Sequence, residues 1–271
     1  MKNVKMFTRI ILGLIASFFL IILSVLLIMK STILNKDYVI KKISDDNYYD
    51  KLYEEIKKDM ENNTLSSGID KEVINDIYTE DMVRDDVGGL IGSIYSGNKF
   101  EINLEKIEGN LNDSIDEFLN KNNLKADDEN ALNNFKERIV NVYKDEVSLY
   151  GYFNNIGDKY KKVDNVCNIL IVLSIVIISL NLFIIRKLHK KYYGVTFLSA
   201  GLGLIYLKMF IWEGIDIKNI IIISDSFSNV LKNILNDIGT EILVFSIIFI
   251  ILGIILNITS SFKKIKRIRR T

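Results

Sequence analysis

Four stretches of this chain are apolar for about the twenty residues that a helix needs to cross a bilayer. They run from Ile10 to Met29, from about Val166 to Ile185, from about Gly194 to Trp212, and from about Ile242 to Ile258. Between the first and second, the pattern changes to short polar segments with apolar residues at spacings of three and four, the signature of amphipathic helices. Tyr49, Leu52, Tyr53, Ile56 and Met60 follow Asp45-Asp46; Val73, Ile74 and Ile77 follow Asp70; Met82, Val83, Val87, Leu90, Ile91 and Ile94 follow Thr79. Each leading Asp or Thr is of the type that caps a helix start. Ile107, Leu111, Ile115, Phe118 and Leu119 form a fourth stripe, and Leu132, Phe135, Ile139, Val142 and Tyr143 a fifth. The alternation Phe100, Ile102, Leu104 is strand-like but too short to build a sheet. The pattern predicts an all-α protein: four transmembrane helices and a helical bundle domain outside the cytoplasm.

Charge sharpens this division. Residues 31–164 hold 18 Lys+Arg against 29 Asp+Glu, a net of −11, and the rest of the chain holds 17 against 5, a net of +12. Lysine and arginine gather on the cytoplasmic side of membrane spans. Lys2, Lys5 and Arg9 precede the first span; Arg186, Lys187, Lys190 and Lys191 fill the loop between the second and third; Lys263, Lys264, Lys266, Arg267, Arg269 and Arg270 follow the fourth. All three groups face the cytoplasm only with an even number of crossings, so both termini are expected there, in a multi-pass protein of the cell membrane. The expected divisions are 1–30 for the N-terminus and first span, 31–164 for the acidic outer domain, 165–261 for the three closing spans, and 262–271 for a basic tail. The first span lacks the small-residue cleavage site and the apolar core of roughly 7–15 residues typical of a signal peptide, and is read as an uncleaved anchor.

The stretch Glu213–Glu241 carries five acids and is expected outside. Within it, Phe227, Val230, Leu231, Ile234, Leu235 and Ile238 fall on one side of a helix and Ser228, Asn229, Lys232, Asn233, Asn236 and Asp237 on the other. This predicts a separate amphipathic helix over about 226–238, capped by Ser224 or Asp225 and closed by Gly239.

The segments Ser31-Thr32-Ile33-Leu34-Asn35, Tyr38-Val39 and Tyr49-Asp50-Lys51-Leu52-Tyr53, the Thr79–Arg84 helix start and the Gly97…Phe100-Glu101-Ile102 step give the chain a resemblance. It resembles uncharacterised membrane proteins of Gram-positive and related bacteria with an N-terminal anchor, a helical outer domain and three closing spans. The resemblance implies a shared architecture and carries no activity or site.

Candidate chemistry narrows further. The one histidine, His189, sits in a basic loop, and the one cysteine, Cys167, at a membrane boundary, so a nucleophile with an activating histidine and the common zinc sites are not expected. Adjacent acids at Asp45-Asp46, Asp85-Asp86 and Asp127-Asp128-Glu129 do not have the spacing of a calcium loop. Gly88, Gly89 and Gly92 lack the strand–loop–helix context of a phosphate loop, and point to close helix packing or a kink. No catalytic residue, cofactor or metal is expected. Lys208 is the one charge inside a span and so a functional candidate, with snorkelling toward the head groups, near Glu213 or Asp216, as the plainer role. Ser199, Ala200, Gly201 and Gly203 give the third span a small-residue face suited to close helix contact, with Gly13 and Ser17 similar in the first, and Asn181 and Asn257 are suited to hydrogen bonding between helices. The expected function is that of a non-enzymatic envelope sensor, scaffold or partner-binding protein. Its expected partners are membrane lipid and another membrane or envelope protein, with no nucleic acid, and self-association is left open. The alternative is a transporter or channel subunit using the three C-terminal spans.

Overall fold

The computed structural model describes residues 2–65, 67–124, 129–149, 156–186, 191–214 and 224–268. Among them the helices are α1 (Lys2–Ser31), α2 (Lys36–Asp45), α3 (Tyr48–Leu65), α4 (Glu80–Ser96), α5 (Glu105–Lys121), α6 (Glu129–Val147), α7 (Ile156–Arg186), α8 (Lys191–Gly214) and α9 (Asp225–Ile268), with a 3₁₀ turn over Lys71–Ile74. Parts of α1, α7, α8 and α9 are long and apolar enough to cross a membrane. Among the described residues the regular structure is therefore all-helical, with four candidate membrane spans. The chain divides into two compact units: a membrane unit of residues 1–35, 163–220 and 232–271, and a helical unit of residues 36–162 and 221–231.

In the membrane unit, contacts at successive levels fix the helix directions. Gly13 faces Thr196, and Gly203 faces Ile21, so α1 and α8 run the same way. Lys30 Nζ donates to Asp164 Oδ1 at 2.6 Å, joining the end of α1 to α7 near its start. Tyr193 at the start of α8 donates to the Leu182 carbonyl near the end of α7 at 2.8 Å. On α9, Asn257 lies against Gly194, and Gly239 against Trp212, so α9 opposes α8. Two apolar clusters fill the interior, one around Leu20, Ile178 and Ala200 and another around Ile28, Leu204 and Ile242.

In the helical unit, α3 is the hub, packing against α2, α4, α6 and the 3₁₀ turn. Its Leu52, Ile56 and Met60 are fully buried, as are Ile107, Leu111 and Ile115 of α5 and Phe135, Ile139 and Tyr143 of α6. These are the residues whose helical spacing the sequence displays, and their burial against one another is what makes these short helices stable. Thr79 caps α4 by accepting from the Met82 N–H. Gly97 closes α4 at φ 67°, its N–H donating to the Ile94 carbonyl while the Asn98 N–H donates to Ser93, the two bonds of a Schellman motif.

Several local expectations differ from the structure. Asp45 does not open α3 but ends α2, and the chain turns through Asn47 at φ 51° before α3 begins at Tyr48. Asp70 does cap, accepting from the Glu72 N–H, but it opens a single 3₁₀ turn rather than an α-helix. Residues 98–104 form no strand. The separate amphipathic helix at 226–238 is instead the first part of α9, which runs through Gly239 for 44 residues. A glycine inside a helix costs only about 1 kcal/mol, and here it is buried against the Trp212 ring. Ser228, expected on the polar side, is 1% exposed; its hydroxyl donates to the Ser224 carbonyl and so enters the interior satisfied.

The three glycines of α4 separate cleanly. A methyl group on Gly88 would meet nothing within 4 Å, whereas one on Gly89 would lie 2.6 Å from the Phe100 ring. Gly88→Ala is expected to raise stability by about 0.5–1 kcal/mol through helix propensity, and Gly89→Ala to lower it by displacing Phe100. Thermal unfolding of the full-length protein in detergent, followed by circular dichroism, checks both signs.

Candidate functional site

The small residues of the spans are where helix backbones approach. A Cβ on Gly13 would stand 3.3 Å from Thr196 Oγ1, and one on Gly203 would stand 2.5 Å from Ile21 Cδ1, so both line the α1–α8 contact. Ser17 is buried with its hydroxyl donating to the Leu14 carbonyl at 2.9 Å, and Ser199 is half-buried. Between α8 and α9 the glycines meet backbone rather than side chain alone. Ser246 Oγ donates to the Gly201 carbonyl at 2.9 Å, and a Cβ on Gly201 would fall 2.8 Å from the Ser246 carbonyl oxygen. Gly253 would likewise meet Gly194 O at 2.8 Å. Gly253 and Ser246, each isolated in an otherwise apolar run, carried the signal for this contact in the sequence.

Lys208 is half-buried in α8. Asp216 lies outside the described residues and Glu213 outside the described side chains, as do Asp127-Asp128, His189 and the last residues of the tail. Asn181 Nδ2 donates to Ile177 O at 3.1 Å within its own helix, and Asn257 Nδ2 donates to Gly253 O at 3.0 Å while its amide also lies against Gly194 of α8. Asn181 is 6% exposed, and its Oδ1 is buried without a hydrogen-bond partner among the described residues. Such a group is costly in a low-dielectric interior. Ser24, Ser174 and Thr196 are also buried in the spans.

In the helical unit the polar groups concentrate at three places. Tyr143 Oη donates to Asp86 Oδ2 at 2.7 Å and its ring meets Tyr78 edge-on, while Tyr78 Oη donates to the Tyr53 carbonyl. Burial, more than any neighbour, raises the Tyr143 and Tyr78 phenols above their ordinary range. It also raises the Asp86 carboxyl, against the Tyr143 hydrogen bond, which lowers it, and with the help of Asp85. At the start of α9, both Glu55 carboxylate oxygens receive hydrogen bonds from Ser226, from its N–H at 3.2 Å and its hydroxyl at 2.7 Å. Ser224 Oγ accepts from the Phe227 N–H. Buried Tyr48 is raised by desolvation and then by Glu55 and Glu146.

The third place is a surface groove of about 400 Å³ between α5 and α6. Buried Leu111 and Val140 lie beneath it, and Glu108, Asn112, Asn133, Lys136, Glu137 and Asn141 line it. The sequence marks the apolar stripes of α5 and α6, but not this pairing of their polar flanks, which depends on how the two helices meet. A smaller groove of about 300 Å³ includes Glu72, Asp76, Glu117 and Lys121, with Lys121 Nζ 3.7 Å from Glu72 Oε2. Among the described residues no three His, Cys, Asp or Glu side chains come together as a metal-ion site.

Asp86 gives a pH signature. Because its folded-state pKa is raised, the protonated form favours the fold; that contribution is complete below the ordinary carboxylate range and is lost as pH rises through the raised value. Asp86→Asn keeps an oxygen to accept from Tyr143 and removes the ionisation. The stability of the variant relative to the native chain is therefore expected to grow from pH 3 to pH 7, as measured by denaturant unfolding across that range; a difference flat with pH would contradict the assignment.

No family model, curated protein or solved structure matches this chain, so its function is argued from its own residues.

Proposed function

We propose that this is a non-enzymatic cell-membrane protein, with both termini in the cytoplasm, whose helical unit lies outside and binds another membrane or envelope protein. The observation that carries the reading is the α5–α6 groove. Its three asparagines each offer a donor and an acceptor, the pairing that peptide groups require. Lys136 beside Glu108 and Glu137 supplies both signs of charge, which sets register more than affinity, and Leu111 and Val140 give an apolar base. The acidic balance of residues 31–164 suits a partner with basic segments and disfavours nucleic acid. The orientation rests on the basic residues at the start of α1, the end of α7, the start of α8 and the end of α9.

A photo-crosslinking amino acid placed in turn at Asn112, at Asn141 and at exposed Lys58 of α3 tests this in native membranes. The same protein is expected to be captured from both groove positions and not from Lys58, with capture reduced by Lys136→Glu. Failure to capture any protein from the groove, or capture of the same set from Lys58, would sink the proposal.

A second reading, a transporter or channel subunit, is favoured by the buried acceptor of Asn181 and by the buried Ser17, Ser174, Thr196 and Ser246 within the spans. On this reading, flux through proteoliposomes falls with Asn181→Leu and with Lys208→Ala. Unchanged flux in the latter removes Lys208 from any transport role.

A further inference from the structure

One end of the membrane unit gathers positive charge without a compensating acid. The start of α1 brings Lys2, Lys5 and Arg9; the end of α7 brings Arg186 and the start of α8 Lys191; the end of α9 brings Lys263, Lys264, Lys266 and Arg267. The Gly13–Thr196, Tyr193–Leu182 and Gly194–Asn257 contacts show that these four helix ends share one end of the unit. Residues 1–30, 165–212 and 242–271 contain no Asp or Glu, and the five acids outside 31–164 all fall within 213–241.

An orientation signal requires an excess of Lys and Arg near the spans, and no particular periodicity. The end of α9 has one. The apolar part of α9 ends at Ser260, yet the helix continues to Ile268. Over those two turns Phe262, Ile265 and Ile268 recur at every third position while Lys263, Lys264, Lys266 and Arg267 fill the positions between. On a helix this sets an apolar arc against a basic one, the pattern of a segment lying at the boundary of acyl chains and head groups. Lysine meets phosphate oxygens as a point charge and arginine as a two-pronged donor. In sequence these cations follow directly on the apolar run that ends at Ser260, which favours a lipid head group over free phosphate.

We propose that this end of the membrane unit binds phospholipids of net negative charge, with Lys263, Lys264, Lys266 and Arg267 of α9 as the principal contacts and the cations of α1, α7 and α8 completing the site. The test uses full-length protein in detergent, given equal amounts of phosphatidylglycerol and phosphatidylcholine, with retained lipids counted by native mass spectrometry. The native chain retains phosphatidylglycerol preferentially. Replacing the four α9 cations by glutamine reduces that preference by about tenfold or more, since each basic residue near an anionic surface is worth about fivefold. Replacing the three lysines by arginine preserves it. Raising the ionic strength weakens it in the native chain, a readout that does not depend on how well the glutamine variant folds. Equal retention of the two lipids, a preference untouched by the glutamine changes, or one indifferent to salt overturns the proposal. Displacement of phosphatidylglycerol by millimolar inorganic phosphate would overturn it in favour of a free-phosphate site.

Discussion

The membrane unit depends on how closely α8 and α9 approach at Gly201 and Ser246. Between helices in hydrocarbon, packing is not driven by release of water, because lipid tails are as apolar as leucine. Association rests instead on dispersion at short range and on hydrogen bonds. Glycines at 194 and 201 of α8, and at 239 and 253 of α9, let backbone and side chains come within contact distance along the length of the pair. The Ser246 hydroxyl then reaches the Gly201 carbonyl, a backbone acceptor on the other helix. On its other side α8 meets α1 through Gly203 and the Gly13–Thr196 contact, so one helix of small residues organises its neighbours on both flanks.

The helical unit solves a different problem with ordinary means. Its core is aliphatic at the centre, where Leu52, Ile56, Ile107, Leu111 and Ile139 are buried. It turns aromatic where α3, α4, α6 and the segment before α4 converge on Tyr53, Tyr78, Tyr143 and Asp86. Tyrosine rings fill volume, and the Tyr78 and Tyr143 hydroxyls find partners that leucine would not need. The chain has one cysteine, so this packing and these hydrogen bonds stand without an internal disulfide.

Much of this was legible in the residues because two periods are unmistakable: runs of about twenty apolar residues for the spans, and three-and-four spacing for the bundle. Thr79 and Asp70 were readable as caps because their side chains act on a backbone N–H two or three residues away. The misreadings arose where a local signal met a distant contact. Gly239 has the identity of a helix terminator, but the Trp212 ring from another helix keeps it helical, and α9 continues for about 66 Å at the usual rise per residue. Asp45 resembles a cap, yet the left-handed turn at Asn47 supplies the break instead. Of the two proposed binding surfaces, the basic helix ends can be found in sequence because charge is carried by residue type. The α5–α6 groove cannot, because it is made by the distance between two helices rather than by either one.

The contact between Trp212 and Gly239 has an optical consequence. Trp212 is the one tryptophan of the chain, and a Cβ on Gly239 would lie 2.5 Å from its indole ring. Its fluorescence therefore comes from a single place, the meeting of α8 and α9 at the end of the unit opposite the basic residues. Any rearrangement that separates those two helices changes the polarity around that indole, so the native chain carries its own emission probe of the contact, with no label and no engineered residue.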